Sequence, residues 1–272
     1  NSYWDSGTTG QNSSYGTEVT SVNARNQATY AGFDFTNTWV MIPGETRPML
    51  RNEYSTTIFT PHALQLMALD LNASYRLGAD LSLASAMAAS GGYSGEVWGA
   101  SGFVPIGRSG SQFSGSFDGQ GHSISALAIH RPSTPYVGLF GYASPSATLA
   151  NVKLLGGSIT GQSNVGALVG YLRQGTLNNV LSSATVIGAG NGAGEVGGLV
   201  GVNDGGTVSN GSASGNVTSP GYDVGGLVGF NINGGIIARS YASGSVTGTS
   251  SGQGYVGGLV GTNGYNAGTG GS

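Results

Sequence analysis

The residues able to do chemistry in this 272-residue chain are few, and their spacing decides most of what they can do. There are three histidines, His62, His122 and His130, and no cysteine. None of the histidines stands in His-Glu-x-x-His, the spacing that sets two zinc ligands and a general base on one helix face, so zinc-peptidase chemistry has no place here. The turn Asp118-Gly119-Gln120-Gly121-His122 brings an acid close to a histidine. Asp118 is expected to bond local backbone amides there; a catalytic Asp118–His122 pair is the alternative, and it lacks a Gly-x-Ser-x-Gly nucleophile. Glu195 and Asp223 each precede the valine of a recurring phrase, which predicts that they are neighbours on successive repeats. Paired carboxylates suit cation binding or glycoside hydrolysis; two solvated turn residues are the plainer expectation. Tyr93, Glu96 and Trp98, in the glycine-punctuated stretch 84–100, are the expected contact residues, because loops on a rigid scaffold carry binding. No catalytic residue, metal ligand or cofactor site is assigned.

The phrase that must position these groups is Val-Gly-Gly-Leu-Val-Gly, read at Val196–Gly201, Val224–Gly229 and Val256–Gly261, with looser copies at Val137–Gly141 and Val165–Gly170. Its leucines, Leu139, Leu168, Leu199, Leu227 and Leu259, recur about 30 residues apart, a period that points to stacked repeats. A second phrase keeps the same register: Thr148–Val152, Thr176–Val180, Thr207–Gly211 and Ile236–Ser240. A third follows at Ser158–Gly161, Thr185–Gly188, Asn216–Ser219 and Ser245–Gly248. Three short β-favouring segments per repeat, parted by Gly, Asn and Ser, make one turn of a coil with no room for a long helix. The predicted fold is all-β, a right-handed parallel β-helix over about residues 75 to 265.

In such a coil each segment bonds its equivalent about 4.8 Å above and below, so like residues form columns. Leu149, Leu177, Val208 and Ile237 are expected to face inward, as are Ile159, Val186, Val217 and Val246. Asn151, Asn179 and Asn210 share a register suited to an amide ladder, which Arg239 is expected to break. The glycines beside each central leucine are expected to supply positive φ for tight turns. An architectural role is expected over a phosphate-cradling one, since Gly-x-x-x-x-Gly-Lys-Ser/Thr is absent and no helix pattern follows these loops.

Ahead of the coils, residues 1–55 are richer in aromatics and charge, with a short helix expected over Val22 to Thr29 and a cluster of Tyr3, Trp4, Phe33, Phe35 and Trp39. That cluster reads as a packed cap; an exposed platform for sugar rings is the sharper alternative. Thr60-Pro61 opens a helix as N-cap and first-turn proline, with Leu64, Met67, Ala68 and Leu71 on one face, placed to lid the coil interior. Tyr75 to Leu83 reads as the first strand.

The repeated Gly-Gly-Leu-Val-Gly resembles the GLUG motif of large surface-exposed bacterial proteins, including adhesins of the filamentous haemagglutinin type and non-catalytic regions of some immunoglobulin A peptidases. Gly102–Gly107 with Phe113–Ile124 resembles the coil that commonly precedes those repeats. Asn1–Gln11, with Phe33–Phe35 through Trp39 to Pro48–Arg51, resembles the segment that closes such a block. The resemblance implies two parts, a closing cap over residues 1–55 and the GLUG-type helix over 56–272.

Composition narrows the partners. Only 8% of residues are charged and the formal net charge is −3, which argues against nucleic acid and an anionic membrane surface. No apolar run is long enough to span a membrane. Hydrophobic content of 38% favours a folded chain, and the 52 glycines lack a Gly-X-Y period, so collagen is excluded. No signal peptide is visible at Asn1, which starts mid-motif, and Gly264 to Ser272 carries no capping unit, so the chain is expected to be a monomeric module of something longer. From Tyr142 onward the charged residues are Lys153, Arg173, Glu195, Asp204, Asp223 and Arg239, too sparse for ordinary acid–base machinery. With the resemblance, these observations imply a non-catalytic structural or adhesive stalk of a secreted or cell-surface bacterial protein, contacting a glycan or surface protein of another cell. A polysaccharide-active β-helix enzyme, lyase or hydrolase, is the alternative.

Overall fold

The computed structural model describes residues 2–6, 15–87, 89–90, 93–94, 97–189, 194–249 and 254–264. It is a parallel β-solenoid of about five turns. Three sheets run along the axis. The largest, of 11 strands, carries Ser116–Asp118, Thr148–Ala150, Thr176–Ser182, Thr207–Ala213 and Ile236–Ala238. The second, of 8 strands, carries Ala128–Val137, Ser158–Gly166, Thr185–Gly188 and their equivalents below. The third, of 5 strands, stacks Phe140–Ala143, Val169–Arg173, Val200–Asp204, Val228–Ile232 and Val260–Asn263.

The registers are those the phrases require. Leu149, Leu177, Val208 and Ile237 pair in sequence across neighbouring strands. So do Ile159, Val186, Val217 and Val246. The inward leucines Leu139, Leu168, Leu199 and Leu227 are buried, whereas Leu259 on the last described coil is 38% exposed. The first coil is closed by larger side chains, Phe103, Phe113, Phe117 and Phe140, all fully buried. Phe113 and Phe140 rings lie 4.7 Å apart, so aromatic bulk fills the core of the first coil.

Two expectations about the turns are corrected. The glycines of the repeated phrase do not adopt positive φ; they are required by close backbone approach instead. A Cβ on Gly197 would stand 2.1 Å from the Val200 carbonyl oxygen, and one on Gly201 would stand 2.5 Å from that of Gly170. The left-handed positions include the asparagines of the second phrase, Asn151, Asn179 and Asn210, with φ between 51° and 55°. Asparagine tolerates that region because its amide bonds locally. Arg239 shares the conformation at φ 50° and does not break the ladder. Asn179 donates to Asn151 at 2.7 Å and Asn151 to Asp118 at 2.9 Å. Asn210 donates to Asn178 rather than Asn179, at 2.8 Å, and Arg239 Nε then donates to Asn210 at 3.1 Å. Among the described residues no side-chain bond joins Asn179 to Asn210, so the column divides into two runs, Asp118–Asn151–Asn179 and Asn178–Asn210–Arg239.

The unequal period has a single source. The step from Leu139, Leu168, Leu199 and Leu227 to Leu149, Leu177, Val208 and Ile237 in the largest sheet is nearly constant, and so is the next step to Ile159, Val186, Val217 and Val246. The step from that last column to the valine of the following phrase is not. It is short from Ile159 to Val165 and from Val217 to Val224, and longer from Val186 to Val196 and from Val246 to Val256. One corner of the coil absorbs almost all length variation.

Helix is scarce among the described residues. Helix α1 (Pro61–Leu66) is capped by Thr60, whose side chain accepts from the Ala63 amide, and continues as a 3-10 turn over Met67–Leu69. Leu64 and Met67 are fully buried, as a lid requires. Ala84–Met87 adds one further turn. The helix expected over 22–29 is two 3-10 turns, Asn23–Arg25 and Gln27–Thr29, separated by extended Asn26. The expected first strand is broken at Gly78–Asp80 into Ser74–Leu77 and Leu81–Ser82, because the coil turns a corner there. The N-terminal residues are locked to the first coil by Arg131, whose guanidinium makes two 2.9 Å bonds to Glu45, and by the Arg47 amide donating to Val97 at 2.7 Å.

Candidate binding face

The predicted contact residues divide. Trp98 is not on the surface: it is 1% exposed, its indole donates to Gln65 at 2.6 Å, and its ring lies 6.2 Å from Phe103. It pins the return of the 84–100 excursion to the lid helix. The bulk that suggested a contact role is used for packing, and the adjacent buried Val97 was the signal of a core segment. Tyr93 stands in a short antiparallel hairpin, Ala89–Ser90 with Tyr93–Ser94, and Glu96 lies outside the described residues.

Asp118 and His122 are not a pair. Asp118 accepts from the Gln120 amide at 2.9 Å, the Gln120 side chain at 2.5 Å and Asn151 at 2.9 Å. Partial burial pushes its carboxyl up, but the bonds from Asn151 and Gln120 outweigh that and hold it below the usual aspartate range. His122 instead approaches Asp80 at 3.6 Å. Asp80 is itself held low, first by the Ser123 amide and hydroxyl.

The side chains that do converge lie along the third sheet. Its outward column is Tyr142, Tyr171, Val202, Phe230 and Thr262. Beside it, at the corner before each valine, stand Tyr136, Asn164, Glu195, Asp223 and Tyr255. The columns touch. Tyr136 meets Tyr142 at 5.6 Å and Tyr171 at 5.9 Å, Tyr142 and Tyr171 stack at 4.8 Å, and the Thr262 hydroxyl donates to Asp223. On the other flank the Tyr171 hydroxyl donates to Asp204 at 2.8 Å, and Asn233 donates to the second oxygen at 2.5 Å. Burial, then the bond to Asp204, pushes the Tyr171 phenol well above its ordinary value, and burial raises Tyr142 as well. Glu195 and Asp223 thus belong to one column on adjacent coils, as expected, within a half-buried face of rings, carboxylates and amides with one cation, Arg173. Period-two alternation across Phe140–Ala143 and its equivalents was the signal for the tyrosine column. Among the described residues no three His, Asp or Glu side chains gather as a metal site, and no helix is long and apolar enough to cross a membrane.

Residues 220–247 match the GLUG motif. Halomucin of Haloquadratum walsbyi is 40% identical over 121 residues, 43% of this chain. A provisionally named Gly-rich membrane protein of Evansella cellulosilytica is 36% identical over 85 residues, 30% of the chain. The alignments span about 1% of halomucin and 10% of the Evansella protein. A crystal structure of a provisionally named immunoglobulin A1 protease from Bacteroides ovatus is similar with a TM-score of 0.55 at 21% identity, covering 77% of this chain and 73% of that one. At that identity the likeness concerns the fold.

Proposed function

We propose that this chain is a non-catalytic structural module of a secreted or cell-surface protein, a rigid rod segment of the adhesin type whose tyrosine-lined face contacts a neutral glycan or a surface protein. The observation that carries the reading is the in-register stack itself. Each coil adds about 4.8 Å of length and depends on its neighbours, so the architecture converts chain into reach. The names of the halomucin and membrane-protein relatives support a surface setting. The face offers ring area from Tyr136, Tyr142 and Tyr171 and a carboxylate acceptor at Glu195, a combination suited to hydroxyl-rich ligands. Immobilised protein exposed to a panel of neutral glycans is the test: binding weakened in Tyr142→Ala and Tyr171→Ala supports the adhesive reading, and no binding leaves a passive spacer.

The second reading, a polysaccharide hydrolase or lyase, draws on the placement of Glu195 and Asp223 in one column. Their backbones stand one strand spacing apart, about 4.8 Å, so both side chains leave the same corner on neighbouring coils, the kind of placement a carboxylate pair requires. Against it, Asp223 is committed to Thr262. Turnover of a polysaccharide that disappears in Glu195→Gln or Asp223→Asn would establish the enzyme and overturn the proposal.

A further inference from the structure

A cleft of about 330 Å³ opens where three parts of the chain meet: the strand and turn at Val40–Pro43, the lid helix and its 3-10 extension, and the Val104–Ser111 segment of the first coil. Its size is at the lower end of small-molecule sites, and junctions of this kind are where such sites form. The walls are apolar, with Met41, Met49, Leu66, Leu69 and Val104 prominent. Gln65, the buried polar group of the lining, already accepts from Trp98 and the Val104 amide and donates to the Val104 carbonyl, so it stabilises the wall and leaves little to offer a ligand. One charged residue borders the cleft, Arg108. It sits at the exposed tip of a tight turn in which the Arg108 and Ser111 backbones exchange bonds at 2.9 Å. Its guanidinium makes no side-chain hydrogen bond or ion pair among the described residues. Arg131, the neighbouring cation of the first coil, is by contrast spent on Glu45.

We infer that this cleft binds a small amphipathic anion, its apolar body between Met41, Met49 and Leu66 and its carboxylate on Arg108. The apolar walls exclude a hydroxyl-rich ligand, whose polar groups would lose water without replacement. The lone guanidinium, with no carboxylate among the lining residues, selects a negative head over a neutral or positive one. The site is separate from the tyrosine face and does not depend on its function.

The chain's four methionines make the test direct, because two of them line the cleft. Protein labelled with carbon-13 at the methionine methyls is titrated with decanoate and, separately, with decyltrimethylammonium. Decanoate is expected to shift the Met41 and Met49 methyls in a saturable manner and to leave Met87, on the one-turn helix, unmoved. The ammonium probe is expected to have little effect. Arg108→Gln, an exposed substitution that leaves the fold intact, should weaken decanoate about tenfold or more, the loss of one charge-assisted contact. Equal response to both probes, undiminished binding in Arg108→Gln, or unmoved Met41 and Met49 would each overturn the inference. So would a leucine- and phenylalanine-bearing peptide amide that shifts these methyls where decanoate does not.

Discussion

Replacing Asn203 by leucine is expected to leave stability unchanged or raise it by up to about 2 kcal/mol, although the side chain is fully buried and hydrogen-bonded. Asn203, Asn231 and Asn263 form an inward ladder that takes over the column occupied one coil earlier by Leu172. Asn203 Nδ2 donates to Asn231 at 2.7 Å and to the Gly206 carbonyl at 3.1 Å, while Asn203 Oδ1 is buried without a hydrogen bond. Leucine removes that orphan acceptor, worth about 1–3 kcal/mol, and creates another at Asn231 Oδ1 of the same size. The Gly206 carbonyl keeps its bond from the Ile236 amide at 2.8 Å. The two orphans cancel, and leucine adds apolar contact beneath Leu172. Steric fit is precedented, since Leu172 packs against Gly175 as Asn203 does against Gly206. Asn203→Ala makes the same exchange of orphans but leaves a void, so it should fall below Asn203→Leu by about 2–5 kcal/mol. Urea unfolding followed by far-ultraviolet circular dichroism measures both. A loss above about 3 kcal/mol in Asn203→Leu, or equal midpoints for the two variants, would refute the reasoning.

Trp98→Ala should cost about 3–5 kcal/mol in the same assay, because it empties a buried site under the lid helix; an unchanged midpoint would return Trp98 to the surface. Leu199→Asp buries an unpaired charge and should cost about 3 kcal/mol or more, while Ser212→Asp at a half-exposed position changes stability by less than about 0.5 kcal/mol. Equal melting temperatures would show the inward register to be wrong. The raised Tyr171 phenol predicts an alkaline limb: its contribution is fully present below the ordinary tyrosine value of about 10 and is lost as pH rises through the higher folded value. Tyr171→Phe should flatten that limb in urea midpoints taken between pH 9 and 11, and an unaltered slope would remove Tyr171 as its source.

The columns were legible because stacking forces equivalent residues to repeat, so Leu149, Leu177 and Val208 announce themselves by position alone. The inner asparagine ladder was hidden by the same habit. Asparagine reads as a turn former, and Asn203 sits where Leu172 and Ala143 mark the interior. The phrase glycines are legible as architectural, but their cause is not: composition gives no means to tell positive φ from a neighbouring carbonyl pressed against the α-carbon. For the candidate face, Glu195 and Asp223 were placed correctly by their offset from the valines. Trp98 was misplaced because a segment between glycines looks like a loop whether or not it returns to the core. The tyrosine stack depends on contacts between coils, which a single repeat does not display.

The corner of variable length also borders the column of Glu195 and Asp223. A coil can lengthen there without shifting a single stacked pair, since the strands on either side keep their partners above and below. Exposed connections in general accept inserted chain at small entropic cost. The solenoid therefore separates two problems that most folds entangle, holding shape and changing surface. New peptide can be grafted at one edge of every turn, giving a linear rack of variable segments at fixed spacing along an unvarying frame.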